Sequence, residues 1–213
     1  FVLLSCAGES KTTPNKAKAD EMFQRVWELY RVPKYGLFSE YYPSSHRPDL
    51  TYFNDSTRQA QEVSYLWPMS GVFSSAVLMA AIEPEKYTVY VDSMVMAMDR
   101  YYDTTRVPFG YQAYPAQCGK VDRYYDDNGL VGIDYIDSYL VTKNPHYLEK
   151  AKQVLTFILS GWDENFEGAV SWLEGVKDQK PAWSNGKAMV LALKLYEATK
   201  DEYYLEVGKK FYH

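Results

Sequence analysis

Residues 129–152 read Gly-Leu-Val-Gly-Ile-Asp-Tyr-Ile-Asp-Ser-Tyr-Leu-Val-Thr-Lys-Asn-Pro-His-Tyr-Leu-Glu-Lys-Ala-Lys, and residues 186–209 echo them as Gly-Lys-Ala-Met-Val-Leu-Ala-Leu-Lys-Leu-Tyr-Glu-Ala-Thr-Lys-Asp-Glu-Tyr-Tyr-Leu-Glu-Val-Gly-Lys. Aligning Gly129 with Gly186 superposes Tyr139 on Tyr196, Thr142 on Thr199, Lys143 on Lys200, Tyr147 on Tyr204, Leu148 on Leu205, Glu149 on Glu206 and Lys152 on Lys209. Each unit reads as a largely apolar helix, a short polar turn and an amphipathic helix. Residues 71–102 keep the same order with a tighter turn at Pro84. Such helical hairpins cannot bury their apolar faces alone, so they must stack into a solenoid or close into a toroid. Strand signals are sparse, and the fold class is all-α.

Outward from this repeat, helix periodicity covers Met22 to Tyr30, Pro68 to Ile82, Pro84 to Tyr102, Leu130 to Val141, Tyr147 to Leu159, Lys187 to Thr199, and Glu202 onward. The apolar helices belong inside and the amphipathic ones outside. Between them lie three long aromatic segments without clear period, 34–60, 103–123 and 162–184. Long stretches precede the inner helices while the turns after them are short, so the long segments gather at one rim. Loops of that length in a compact domain are commonly functional.

At that rim stands Tyr124-Tyr125-Asp126-Asp127-Asn128-Gly129-Leu130. Two adjacent carboxylates admit two readings. They cap the following helix, since Asp and Asn suit an N-cap and negative charge suits a helix N-terminus. Alternatively they do acid–base work on a non-helical backbone just before the helix, with Asn128 left to cap. The aromatic rim favours the second reading, because paired carboxyls among aromatic faces are what hydrolysis of a polysaccharide requires. Asp134 and Asp137 follow in the same helix and read as structural polar groups.

The remaining composition narrows the partners. A 213-residue chain with 46% hydrophobic and 24% charged residues buries a core, and a net charge of −5 without a basic cluster argues against nucleic acid. His46, His146 and His213 lack metal-ligand spacing, and no P-loop or dinucleotide signature is present, so no metal and no cofactor is expected. Cys118 reads as a buried thiol. Cys6 ends Phe1-Val2-Leu3-Leu4-Ser5-Cys6, which resembles the lipobox of a bacterial lipoprotein signal. The expectation is a signal remnant and tether over 1–16, lipid at Cys6, and a catalytic domain over 17–213 held at the cell envelope outside the cytoplasm. The membrane is then met only through that anchor, by a monomer.

Leu66-Trp67-Pro68-Met69-Ser70-Gly71, the Tyr124–Asn128 stretch, Tyr147-Leu148 with Ala151, Gly161-Trp162-Asp163, Gly168 with Ser171-Trp172, and Ser184-Asn185-Gly186 leading to Leu195-Tyr196 together resemble the bacterial α-1,6-mannanases of glycoside hydrolase family 76. The resemblance runs from Trp67 to the end. It implies an (α/α)6 toroid with about seven of twelve helices in this chain, the N-terminal portion of a longer domain. It also implies an endo-acting, configuration-retaining hydrolase of the α-1,6-mannan backbone, with Asp126 as nucleophile and Asp127 as general acid/base. Trp67, Tyr124, Tyr125, Trp172 and Asn185 are the expected sugar-lining residues. Two rivals remain: another glycosidase on the same toroid, and a non-catalytic glycan-binding helical lipoprotein.

Overall fold

The computed structural model describes residues 13–46 and 62–212. Cys6 with its signal remnant, residues 47–61 including the second half of the first aromatic segment, and His213 lie outside the described residues. The described chain folds into helices α1 (Pro14–Tyr30), α2 (Leu66–Ile82), α3 (Pro84–Met98), α4 (Tyr125–Thr142), α5 (Pro145–Leu159), α6 (Ala182–Thr199) and α7 (Glu202–Tyr212). Helices α2, α4 and α6 pack side by side as an inner row, and α3, α5 and α7 each return along the outside of their partner. None of the described helices is long and apolar enough to cross a membrane.

The repeated letters are turn chemistry. Lys143 and Lys200 end α4 and α6 in the left-handed region, with φ of 61° and 58°. Their N–H groups close back on the carbonyls of Tyr139 (2.8 Å) and Tyr196 (2.7 Å), satisfying groups that a helix end leaves open. Thr142 Oγ1 then accepts from the N–H of Asn144, and Thr199 Oγ1 from that of Asp201, each at 3.2 Å. Asn144 and Asp201 next accept from His146 N (3.1 Å) and Tyr203 N (3.0 Å), starting the outer helix. Both hairpins therefore turn by one mechanism.

The core forms where the inner row meets the outer one. Met69 and Phe73 of α2, Val131, Tyr135 and Ile136 of α4, and Leu191 and Leu195 of α6 are buried, backed by Tyr87, Val91 and Met94 of α3 and by Val154 and Ile158 of α5. At Gly132 the inner helices come so close that a Cβ would stand 2.4 Å from Leu191 Cδ2 and 3.0 Å from Val154 Cγ1. Outside α3 and α2 lies α1, whose Phe23 and Trp27 meet Tyr87, Tyr90 and Phe38 edge-on at centroid separations of 4.6 to 5.3 Å.

Four sequence expectations are corrected. Helix α1 begins at Pro14, inside the stretch assigned to a tether. Thr13 Oγ1 caps it by accepting from Lys16 N at 3.3 Å, and Pro14 suits the first helical position. Helices α4 and α6 start at Tyr125 and Ala182, a full turn before Leu130 and Lys187. Each outer helix from α1 to α5 leads into a two-residue antiparallel ribbon, too short to leave a period: β1 (Arg31–Val32) with β2 (Leu37–Phe38), β3 (Tyr102–Asp103) with β4 (Gly110–Tyr111), and β5 (Trp162–Asp163) with β6 (Ala169–Val170). Cys118 is exposed rather than buried: it ends a short turn, Ala116–Cys118, of which no residue is buried, in the loop after β4.

Candidate active site

The entrance to α4 is fastened from two sides. On one side, residues 123–125 lie against 172–174 as a short antiparallel bridge. Tyr125 N donates to the carbonyl of Trp172 at 2.9 Å, and Glu174 N donates to that of Arg123 at 3.1 Å. The Arg123 side chain is wholly buried; it pairs with Glu174, donates to the carbonyl of Pro108 at 2.9 Å, and lies 4.7 Å over the Phe157 ring. On the other side, Asn128 clasps the backbone of Tyr111 in β4. Its Oδ1 accepts from Tyr111 N, and its Nδ2 donates to the carbonyls of Tyr111 and Tyr124, all at 2.8 Å. These contacts join residues far apart in sequence, and they hold the first turn of α4 in helical form.

Asp126 and Asp127 are consequently the second and third residues of α4. The expected non-helical setting is replaced by the first helical turn, and Asn128 is not the cap. Tyr124 occupies the N-cap position with extended backbone and no side-chain cap bond. The carboxyls lie in the first turn of the helix, where negative charge is favoured. Both are nonetheless buried. Burial raises the pKa of Asp126, opposed by the Lys187 ammonium, then by the backbone N–H groups of Asp127 and Asp126, and last by the Trp172 indole. Burial, and then the charge of Asp126, push Asp127 up to about 7, again against Lys187. Trp172 Nε1 donates to Asp126 Oδ2 at 3.3 Å, and its ring meets Tyr124 at 5.0 Å.

Lys187, one turn into α6, is not among the site residues expected from the sequence. Its Nζ is buried 3.5 Å from the centroid of the Trp67 ring. Among the described residues, the buried side-chain polar atoms without a hydrogen-bond partner are Asp126 Oδ1, Ser184 Oγ and Lys187 Nζ. All three belong to the first two turns of α4 and α6. Buried polar atoms are seldom left unpaired, and a cluster of them marks a place built for another purpose than folding.

The rim aromatics fall into a pattern. Trp67, Asp126 and Trp183 are each the second residue of an inner helix, so the three mouths present the same position. Trp67 and Trp183 are about half exposed there. Tyr124 and Trp172 also stand at the α4 mouth. Tyr125 does not: it turns into the core, stacked on Phe157 at 5.0 Å, because it leaves the helix about 100° around the axis from Asp126. Asn185 is the counterpart of Asn128. It clasps Val170 of β6 through its N–H (2.8 Å) and carbonyl (3.0 Å) and donates to the carbonyl of Pro181. Asp134 sits two turns deeper, receiving the hydroxyls of Ser70 (2.5 Å) and Ser74, and burial raises it to about 7. Asp137 pairs with Lys194 at 2.7 Å. Among the described residues no cluster of His, Cys, Asp and Glu could hold a metal ion.

An inner row of helices backed by an outer row, with a paired carboxyl at an inner-helix mouth, is an arc of an (α/α)6 toroid. Residues 15–213 match the model of glycosyl hydrolase family 76, and the chain belongs to that family. Among solved structures it is similar to a family 76 mannosidase of Bacteroides thetaiotaomicron, at 27% identity and a TM-score of 0.79 over 92% of this chain and 52% of that one. A family 76 α-mannanase of the same organism matches at 24% identity and a TM-score of 0.76, over 95% of this chain and 53% of that one. An inactive variant of a Salegentibacter α-1,6-mannanase, with two consecutive aspartates changed to asparagine and α-1,6-mannotriose bound, shares the fold at 21% identity. Its TM-score is 0.66, over 92% of this chain and 49% of that one. The chain thus spans about half the length of these relatives. No curated protein matches it.

Proposed function

We propose that this chain carries the acid pair of an endo-acting hydrolase of α-1,6-linked mannan, working with retention of configuration. The observation that carries the reading is Asp126 and Asp127 buried together in the first turn of α4 while Asp126 Oδ1 and Lys187 Nζ have no partner. A capping role alone would leave neither of them orphaned. Family membership supports the reaction class. The Salegentibacter relative, inactive with its two consecutive aspartates replaced, supports both the pair and an α-1,6-mannoside substrate.

On this reading Asp126 is the nucleophile and Asp127 the general acid, then base. The environments divide the labour in that direction: Asp127 is pushed up to about 7 and stays protonated, while Asp126 accepts the Trp172 N–H, which favours its ionised form against the effect of burial. Activity therefore rises as Asp126 ionises and falls as the pH passes about 7 and Asp127 loses its proton. Trp67, Tyr124 and Trp172 supply ring faces for the sugars. The reading also keeps the lipid anchor at Cys6 and the cell envelope as location, which incorporation of labelled palmitate in the producing cell would test.

The decisive experiment uses the full-length protein on debranched α-1,6-mannan. Wild-type protein should release reducing manno-oligosaccharides, and Asp126→Asn and Asp127→Asn should each abolish release. Near wild-type release by either variant removes the assignment, and binding without release by the wild type supports the glycan-binding alternative.

A further inference from the structure

We propose that Lys187 is the positioning residue of the acid pair: its ammonium, fixed on the Trp67 ring and otherwise unpaired, is the counter-charge that lets the buried pair carry an ionised carboxylate. The inference rests on the functional reading above and extends it to a residue on a different helix.

The geometry leaves Lys187 little freedom. Its stem leaves α6 against the backbone of Gly129 in α4, where an added Cβ would stand 2.8 Å from Lys187 Cβ. Gly129 is thus the gap through which the lysine reaches the mouth of α4. At its far end Nζ lies over the Trp67 ring at 3.5 Å, a contact that holds a cation without neutralising it. No carboxylate comes within ion-pair distance of Nζ among the described residues, although Asp126 and Asp127 both act on it electrostatically and it on them. A lysine of purely structural use would be expected to satisfy its ammonium by a carbonyl, a carboxylate or solvent.

The charged groups around the pair are few. Helix α4 brings Asp126 and Asp127, with Asp134 two turns below and held by its own serines. The approach to α4 brings Tyr124, whose phenol donates to Asp122 Oδ2 at 3.4 Å. The 172–174 segment brings Glu174, already occupied by Arg123. Helix α2 contributes Trp67 and no charge at its mouth. Lys187 is then the one cation facing the pair among the described residues, and it bears on both carboxyls while Trp172 bonds only Asp126.

The test is Lys187→Met in the full-length protein, which keeps the stem against Gly129 and Trp67 and removes the charge; Lys187→Gln is the second variant should the first fail to fold. Losing the cation raises both carboxyls. The acid limb of kcat/KM against pH, which reports ionisation of the nucleophile, should move upward by about one unit, the low end of what a nearby opposite charge does to a carboxyl. On that limb kcat/KM falls about tenfold, and the melting temperature is unchanged. An acid limb that does not move overturns the proposal even if the rate falls, since lost packing slows an enzyme without displacing a titration. Failure of the functional reading shows itself separately, as wild-type protein that releases nothing from α-1,6-mannan. In that event carbon-13 NMR titration of aspartate-labelled wild-type and Lys187→Met protein decides: two transitions displaced upward support the counter-charge, and coincident transitions overturn it.

Discussion

Replacing Asp134 by asparagine is expected to stabilise the protein at pH 8 relative to pH 4. Asp134 is 3% exposed in the middle of α4, and its carboxyl receives Ser70 and Ser74 of α2. Burial is the largest influence on it; it raises the pKa from 3.8 to about 7, against the two hydroxyls. Between these values the native protein holds a proton that the unfolded chain releases. The stability that this proton represents is present in full below about pH 4 and is lost as the pH rises through 7. A shift of about 3 units at 1.36 kcal/mol each amounts to about 4 kcal/mol. The side chain is buried, so no allowance for solvent screening is needed. Urea titrations followed by tryptophan fluorescence at each pH from 4 to 8, on wild type and Asp134→Asn, give the difference in unfolding free energy. That difference should grow in favour of the variant by about 2–4 kcal/mol across the range. Asp126 and Asp127 titrate in both proteins and cancel, being two turns away. A difference that stays constant to within about 0.5 kcal/mol, or that grows in favour of the wild type, refutes the reasoning.

Asn185→Ala removes the clasp on Val170 and should cost about 1–3 kcal/mol of stability, the range for a buried group left unpaired, with KM for manno-oligosaccharides unchanged. A tenfold rise in KM at unchanged stability would return Asn185 to the sugar-lining set. Gly132→Ala drives a methyl into Leu191 and Val154 at the α4–α6 crossing. Overpacking of about 1–3 kcal/mol should outweigh the helix propensity gain of about 1 kcal/mol, so urea denaturation should show a net loss, and a more stable variant would show that the two helices can separate freely.

The helices were legible because a period of 3.6 survives wherever one face meets a core. The hairpin turns were legible for a second reason: Tyr139, Thr142 and Lys143 reappear as Tyr196, Thr199 and Lys200, and each acts within a few residues of itself. What escaped the sequence depends on distant partners. The first turns of α4 and α6 are held by Tyr111, Trp172 and Val170, through bonds that no local pattern announces. Tyr125 adjoins the acid pair in sequence yet faces Phe157, because neighbours on a helix point to different sides. Asn185 carries the same letters as a sugar-binding amide and spends them on backbone. Lys187 gave a single signal, a lone cation early in an apolar helix, whose meaning required Trp67 and Gly129 to be seen beside it.

The acid pair lies in a helix rather than a loop, and this bears on what the pair can select. Successive residues of an α-helix leave the axis about 100° apart, so the two carboxyls depart on different bearings from a rigid stem. A loop could draw them together around many substrates, whereas here their divergence is set by helical pitch and by the clasps of Asn128 and Arg123. A glycosidic bond served by both must therefore lie across the end of α4. On the proposed reading, the adaptable partners are the sugar chain and the rings of Trp67 and Trp172, and preference for one linkage over another becomes a property of main-chain geometry.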